Sequence, residues 1–441
     1  MQLKVFIIIT LICSLMLQTK YADGRHIRKR KIKKQFKHSV ILNDHFTGFA
    51  LYDLDDKRMI WQQYADKYFT PASNTKLFTF YTCLKMLGDS IPALKYVIHN
   101  DSLIFWGTGD PAFLHSELKG TRGFDFLKNS KKKLFFSAGS YANEFYGDGW
   151  AWNDYNDYYQ AEITELPLED NVALLYADKN DSLQIRPAYL RQFLKPDSSW
   201  HASNFRVRRD FLSNTFVYPL MALPKNFKQY IPWKTSTPLT LALLQDTLKI
   251  PVTEVHLPLP DSAKTIYEEN ADTVYRHMLQ PSDNFIAEQL LLVCSSARFK
   301  MLNSDSVINY STTHFLNDLP DVPQWADGSG LSRQNLFTPR SIIALLCKIS
   351  DEMKNDSLLH SLLPEGGVAG TIRRTYKTDN GRPFIWAKTG SLNNVYNQSG
   401  YFVTRKGKRL AFSFMNNNFT SPTAGLRDEM VRIITWIHDN Y

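Results

Sequence analysis

A serine and a lysine stand three residues apart at the start of an amphipathic run. Ser73 and Lys76 follow Pro71, a residue that suits a helix entry, and apolar residues then recur at helical spacing as far as Gly88. Positions i and i+3 share one face of a helix, so the hydroxyl and the amine can meet there. A serine beside a basic amine is the minimum apparatus of an activated nucleophile.

The pair alone is a weak signal, because roughly one or two chance matches are expected in a chain of this size. Ser130 and Lys133 have the same spacing inside a plain charged run. A working serine nucleophile also needs a proton shuttle, an oxyanion hole and a substrate anchor. The rest of the chain must therefore supply these parts.

Two further segments fit that need. Ser282-Asp283-Asn284 opens a predicted helix, and Lys388-Thr389-Gly390 ends an apolar strand. Taken alone, the first is typical of a helix N-cap and the second of an edge-strand lysine before a turn. In this order with Ser73 and Lys76, however, they form the S-x-x-K, S-D-N and K-T-G signature of penicillin-binding proteins and class A β-lactamases. The combination predicts acyl transfer through a serine.

From about residue 47 to its end, the sequence resembles the three-domain D-alanyl-D-alanine carboxypeptidases/endopeptidases of the penicillin-binding protein 4 type. The long interval between Ser73 and Ser282 fits that family, in which extra domains follow the nucleophile helix. The sequence departs from the family at Asn153, where Asp is common, and at Ser391, where Thr is common. Further matching segments are Tyr52-Asp53-Leu54, Gly107 to Pro111, Gly149 to Asp154, Asp327 to Arg333, Gly370-Thr371 and Lys388 to Tyr401.

The resemblance implies a role for each motif residue. Ser73 would attack the carbonyl of the penultimate D-alanine of a cell-wall stem peptide, and Lys76 would accept its proton. Ser282 would relay a proton to the leaving amine, and Asn284 would position the substrate and Lys76. An unperturbed lysine has a pKa of about 10.4, so burial and positive charge from Lys388 and the helix N-terminus are expected to lower the pKa of Lys76.

The same resemblance implies how the substrate is held. Lys388, Thr389 and Ser391 would anchor the terminal carboxylate, and the backbone N–H groups of Ser73 and Ser391 would form the oxyanion hole. Water would cleave the acyl-enzyme, and no metal or cofactor is implied. The expected partners are peptidoglycan stem peptides, with β-lactams as covalent inhibitors that acylate Ser73.

Strand patterns occur at both ends of the chain, with a last helix whose apolar face carries Leu426, Met430, Ile433, Ile434 and Ile437. They predict an α/β fold: a transpeptidase/β-lactamase-like antiparallel sheet flanked by helices, with inserted smaller domains after the nucleophile helix. The predicted strands are 48–52, 59–61, 384–389, 399–404 and 409–415, with a hairpin turn at 405–408. The predicted divisions are a signal peptide (1–22), a basic linker (23–38), the transpeptidase-like domain (39–96 and 266–441) and the insert (97–265).

The predicted insert contains a dense aromatic patch from Tyr141 to Tyr159. Aromatic residues in this number usually form a core, so one or two inserted domains with an aromatic core are expected. A platform that faces a peptide or a glycan is the alternative.

The formal charge of +9 lies in the N-terminal region. Residues 1–37 hold ten Lys or Arg and one acid, whereas the remainder balances at 42 basic and 42 acidic residues. A nucleic-acid face on the body of the protein is therefore not indicated. The apolar run at 5–17 predicts a signal peptide, with an uncleaved anchor as the alternative, and thus export to the periplasm or cell envelope. The basic run at 25–37 is expected to be a solvated disordered tail; peripheral contact with anionic lipid is the alternative.

Four cysteines occur, and their spacing indicates neither a metal site nor a redox pair. Cys13 lies in the predicted signal peptide. Cys83, Cys294 and Cys347 lie in predicted helices, where buried free thiols are expected and a disulfide remains an alternative.

Two other functions remain open. A β-lactamase would share the three motifs, although no E-x-x-x-N segment is placed to supply a deacylating glutamate. A non-catalytic wall-binding or penicillin-sensing protein would share the fold, but every catalytic position is filled here.

Overall fold

The computed structural model describes residues 29–118, 120–378 and 381–441. The predicted signal peptide and residues 23–28 of the predicted linker lie outside this range. The strands are β1 Phe46–Asp53, β2 Arg58–Gln63, β3 Ser90–His99, β4 Ser102–Gly107, β5 Lys133–Ser137, β6 Val172–Ala177, β7 Leu183–Arg186, β8 Leu194–Asp197, β9 Arg208–Arg209, β10 Phe216–Pro219, β11 Lys228–Pro232, β12 Val252–Val255, β13 Lys264–Glu269, β14 Ile385–Leu392, β15 Val395–Val403 and β16 Arg409–Asn417.

Helices lie near both ends of the described chain and on the faces of its main sheet. They are α1 at 29–37, α2 Val40–Asn43, α3 Lys76–Met86, α4 Arg122–Lys128, α5 Thr237–Leu248, α6 Ala271–Leu279, α7 Asn284–Arg298, α8 Ser304–His314, α9 Pro339–Met353, α10 Asp356–Leu362 and α11 Thr423–Asn440. In the described part of the chain, none of these helices is long and apolar enough to cross a membrane.

The main sheet joins the first two and the last three strands of the described chain. Its strand order is β14-β15-β16-β1-β2, and all its pairings are antiparallel. β1 pairs with β16 in a register that puts Ala50 opposite Ser413. The predicted sheet closed by both termini is therefore confirmed, and residues 405–408 form the turn between β15 and β16 as predicted.

One face of this sheet packs against the last helix. The five predicted apolar positions of α11 are all buried, and they join a core that includes Phe49 of β1 and Phe412 and Phe414 of β16. The other face packs against α3, α7 and α9, which carry the catalytic motifs or the loops beside them. The sheet thus forms the middle layer of a three-layer domain.

The basic run is helical where the structure describes it. Ile32 and Phe36 of α1 are each only 1% exposed, and the Phe36 ring lies 4.8 Å from that of Phe49. The prediction of a solvated disordered tail is therefore wrong from residue 29 onward. Apolar residues at i and i+4 give the helix one face that packs on the sheet core.

The inserted segment builds three sheets of its own. Their strand orders are β12-β5-β4-β3-β13, β11-β6-β7 and β8-β10-β9, over a core that includes Phe105, Phe136 and Trp233. The predicted boundaries at 96/97 and 265/266 fall inside β3 and β13, which pair with each other through Leu94 and Ile266. We therefore propose that the insert extends from about residue 89 to about residue 270.

The three described cysteines are free, as expected. Cys83 of α3 and Cys294 of α7 are buried, with their sulfur atoms 3.7 Å apart, and Cys347 lies half-buried on α9. The close pair lies where α3 packs on α7, the helices that carry Lys76 and Asn284.

Candidate active site

The nucleophile lies in a tight turn immediately before α3. Residues Ala72–Thr75 form a 3-10 turn and the α-helix begins at Lys76, so the predicted helix starts three residues later than Ser73. The predicted contact is nevertheless present, because Lys76 Nζ lies 3.1 Å from Ser73 Oγ. Ala72 has a φ of 48°, a strained conformation for a residue with a side chain.

The backbone at Gly330 packs directly against the nucleophile turn at Ala72. A Cβ atom on Gly330 would lie 1.9 Å from the Ala72 carbonyl oxygen. No other residue could approach the strained turn so closely without displacing it.

Lys76 is held by two fixed acceptors besides the serine. Its Nζ lies 2.7 Å from Asn284 Oδ1 and 2.7 Å from the Ser329 carbonyl oxygen. The side chain is fully buried, whereas Ser73 is half-exposed and lines a cavity. The amine is therefore positioned in three directions and shielded from water.

Burial lowers the pKa of Lys76 to about 8, against the opposing pull of Asp283, Asp327 and Glu288. The expectation that positive charge from Lys388 also lowers the pKa of Lys76 is wrong, since burial is the cause that lowers it. Burial first, and repulsion from Lys76 second, lower the pKa of Lys388. The removal of water from the lysine, rather than a neighbouring cation, is the main cause at Lys76.

The second motif serves two purposes at the start of α7. Asp283 is the helix N-cap, with its carboxylate accepting the Ile286 N–H at 2.8 Å, while Ser282 and Asn284 line the cavity. Ser282 has a φ of 70°, a second strained position at the site. Asn284 also donates from Nδ2 to the Tyr159 carbonyl at 3.0 Å, which ties the insert to the lysine's partner.

The third motif lies on β14, at one edge of the main sheet. Lys388 is fully buried and donates to Ser282 Oγ at 2.7 Å, and the Thr389 hydroxyl donates to that of Thr371 at 2.7 Å. A Cβ atom on Gly390 would lie 2.4 Å from the Pro71 carbonyl oxygen, so only glycine lets β14 pass this close to the nucleophile turn.

A cavity of about 1100 Å³ connects the motifs. Ser73, Ser282, Asn284 and Ser391 line it, and Lys76 and Lys388 lie behind them, each bonded to one of these serines. The insert supplies part of the wall through Ala151, Asn153, Asp154, Tyr158 and Tyr159. The structure thus brings together the residues that the three motifs predicted.

Sequence reasoning gave no role to two residues that support the lysine. The buried Glu288 carboxylate accepts the N–H groups of Gly328 at 2.9 Å and Ser329 at 2.7 Å. Burial and the nearby Asp327 raise the pKa of Glu288 to about 8. The segment from Asp327 to Arg333 matched the family. However, the group that binds Lys76 is the Ser329 backbone carbonyl, and a backbone contact cannot be predicted from side-chain types.

Together, a half-exposed serine, a buried lysine of lowered pKa and a second serine–lysine pair define an acyl-transfer serine enzyme. The family comparison is specific. The model of the D-Ala-D-Ala carboxypeptidase 3 (S13) family matches residues 29–191 and 270–438, and the chain belongs to that family. It is a serine-type carboxypeptidase that acts on the bacterial cell wall, and as a cell-wall enzyme it works outside the cytoplasm.

Individual relatives agree over most of the chain. The D-alanyl-D-alanine carboxypeptidase DacB of Haemophilus influenzae is 23% identical, over 85% of this chain and 86% of the relative. The crystal structure of penicillin binding protein 4 from that organism superposes with a TM-score of 0.74 at 21% identity, over 92% of this chain and 99% of the other. A second structure of that protein, in complex with a β-lactam, has a TM-score of 0.66 at 19% identity, over 93% of this chain and 99% of the other.

Proposed function

We propose that Ser73 attacks the carbonyl of the penultimate D-alanine of a stem peptide and that Lys76 is its base. The position of Lys76 carries the proposal. Asn284 Oδ1 and the Ser329 carbonyl take two N–H bonds of a neutral amine, which leaves its lone pair facing the Ser73 hydroxyl. The lowered pKa makes that neutral form accessible near neutral pH.

In the acylation step, the Ser73 oxygen bonds to the carbonyl carbon and its proton passes to Lys76. The backbone N–H groups of Ser73 and Ser391 would stabilise the oxyanion, each such donor being worth about 10²–10³ in rate. The peptide C–N bond then breaks: Ser282 passes its proton to the leaving D-alanine amine and takes in return the proton that Lys76 accepted from Ser73, so that both residues end the step as they began it. Lys388 supports this role because it donates to Ser282 Oγ and leaves the Ser282 proton free to point at the substrate.

The terminal carboxylate would bind at Lys388, Thr389 and Ser391. An arriving carboxylate favours the ammonium form of the buried Lys388, whose pKa is otherwise lowered by burial and by Lys76. Water then hydrolyses the acyl-Ser73 ester and completes a carboxypeptidase cycle.

Two observations support action on D-Ala cross-links as well. The cavity of about 1100 Å³ is large for a dipeptide end. β14 is an edge strand whose first residues bond to the segment 364–366, and an extended peptide can lie alongside its second half, from Lys388 to Leu392. An endopeptidase would use the same acyl-Ser73 intermediate. A β-lactam would form the same ester and leave it slowly.

The test is digestion of purified muropeptides, with products identified by mass. Wild type should release D-alanine from pentapeptides and split D-Ala cross-links, and Ser73→Ala should do neither. Identical products from both proteins would overturn the mechanism. Rapid turnover of nitrocefin would favour a β-lactamase, whereas stable acylation without products would favour a penicillin-sensing role.

We also propose export to the periplasm or cell envelope through the apolar leader, with peripheral membrane contact through α1. The basic residues of α1 are all exposed, on the sides away from Ile32 and Phe36. Such a cluster suits an anionic lipid surface. The six basic residues of α1 are Lys29, Arg30, Lys31, Lys33, Lys34 and Lys37. Cosedimentation with phosphatidylglycerol vesicles should fall when all six are changed to Gln, and unchanged binding would contradict the contact.

A further inference from the structure

An exposed aromatic surface lies beside the active-site cavity. Trp152 is 72% exposed and Phe211 is 44% exposed, and their rings meet edge to face at 6.1 Å. Tyr155 packs against Phe211 at 5.0 Å. We call these three residues the aromatic shelf. They belong to two separate segments of the insert, and the core of the insert is built from other residues.

A buried arginine holds the two segments together. Arg209 is 1% exposed, and its guanidinium donates to the carbonyl oxygens of Asp210 at 2.8 Å, of Ser213 at 3.2 Å and of Tyr155 at 3.5 Å. The Arg209 backbone also exchanges hydrogen bonds with the Asn156 side chain. A buried charge is costly unless it is fully bonded, so this arrangement fixes the shelf in place.

The shelf is continuous with the catalytic cavity. Ala151 and Asn153, on either side of Trp152, line that cavity together with Asp154. A stem peptide of four residues between the scissile bond and its sugar spans at most about 14 Å. The cavity wall that carries Ala151 and Asn153 gives such a substrate a path from Ser73 toward the shelf.

We propose that the aromatic shelf is a saccharide subsite, on which a sugar ring of the glycan strand stacks while its stem peptide occupies the cavity. An exposed aromatic ring offers a flat, electron-rich face to the C–H bonds of a pyranose. Exposed amide and carboxylate groups at Asn153, Asp157 and Asp210 can bind sugar hydroxyls. The same acids disfavour an anionic lipid surface here. This inference rests on the proposed function and deepens it.

The test compares two substrates: a free stem pentapeptide, and the same peptide carrying its disaccharide. Trp152→Ala should lower kcat/KM on the disaccharide-peptide about five- to tenfold and leave the free peptide unchanged. Trp200→Ala is the matched control, because Trp200 lies in the same insert and its ring contacts the guanidinium groups of Arg206 and Arg208, at 5.6 and 4.2 Å. It should alter neither substrate.

The outcomes separate this inference from the proposed function. An equal loss on both substrates, or no loss on either, would overturn the saccharide subsite. If wild type left both substrates intact, the proposed function would fail instead. Binding of peptide-free glycan strands to Ser73→Ala then decides the subsite: weaker binding in Ser73→Ala/Trp152→Ala supports it, and equal or absent binding in the two proteins overturns it.

Discussion

Glu288 orients Ser329, and Ser329 in turn holds Lys76. The carboxylate accepts the Ser329 N–H at 2.7 Å, and the Ser329 carbonyl accepts from Lys76 Nζ at 2.7 Å. Glu288, which lies one turn along α7 from Asn284, thus positions the loop at Ser329, and this loop in turn positions Lys76. Buried networks of this kind depend on every member being bonded.

Changing Glu288 to Gln should slow acylation of Ser73 by about tenfold to a hundredfold above about pH 8, where the Glu288 carboxyl is ionised. The amide keeps one acceptor oxygen but turns an NH₂ group toward a backbone N–H, so the Ser329 carbonyl loses its alignment with Lys76. The measurement is the second-order rate of labelling by a fluorescent penicillin. Glu352→Gln is the control, because Glu352 pairs with Lys85 on the surface. Equal rates in all three proteins would refute this support role.

The acylation rate should rise with pH and level off above about 8. The lowered pKa of Lys76 means that its charged form, which cannot accept a proton, dominates below that value. The logarithm of the labelling rate should climb with a slope near one between about pH 6 and 7.5. The pKa of Glu288 is raised into the same range. The pH profile is therefore also measured in Glu288→Gln, in which this group cannot titrate. A flat profile in both proteins would rule out Lys76 as the base.

Replacing Gly390 with Ala should abolish labelling. The new methyl group would lie 2.4 Å from the Pro71 carbonyl oxygen and 3.0 Å from the Ser73 nitrogen, so β14 must move away from the nucleophile turn. Gly88→Ala is the matched control, since its Cβ would meet nothing within 4 Å. Thermal unfolding, followed alongside, shows whether the variant still folds. A fully active Gly390→Ala would mean that β14 does not position Ser73.

Lys388→Met should remove the preference for a free terminal carboxylate. Wild type should cleave a peptide ending in D-Ala-D-Ala much faster than the same peptide with a C-terminal amide, because the proposed carboxylate anchor, Lys388, is fully buried and an ion pair formed there would be strong. In the variant, kcat/KM should fall by about a hundredfold on the acid and much less on the amide. A parallel fall on both substrates would assign Lys388 to the chemistry of Ser282 alone.

The order of three short motifs predicted which side chains meet at the site. The spacing of Ser73 and Lys76 survives although the α-helix begins later than expected, because a 3-10 turn also places i and i+3 close together. Ser130 and Lys133 show why spacing alone fails. Ser130 bonds the Lys132 N–H in a loop, and Lys133 begins β5 with its side chain exposed.

Other parts of the site depend on tertiary structure that spacing does not encode. Glu288 acts on a loop 40 residues away, and Tyr159 meets Asn284 from within the insert through its backbone. The sequence does contain a signal for helix α1. Ile32 and Phe36 have the i, i+4 spacing of an amphipathic helix, although the many positive charges around them are also typical of a disordered tail.

The sheet that unites β1 with β16 has a consequence for the timing of activity. The nucleophile turn is bonded to the last strands, through Asn397 to the Pro71 carbonyl and through Asn74 to Ser399. These contacts span more than 300 residues, so they form only after nearly the whole chain has been synthesised. In an incomplete polypeptide, therefore, the turn that carries Ser73 lacks the strand contacts that hold it in place. The hydrolase activity can appear only after β15 and β16 have been synthesised and have joined β1 in the sheet.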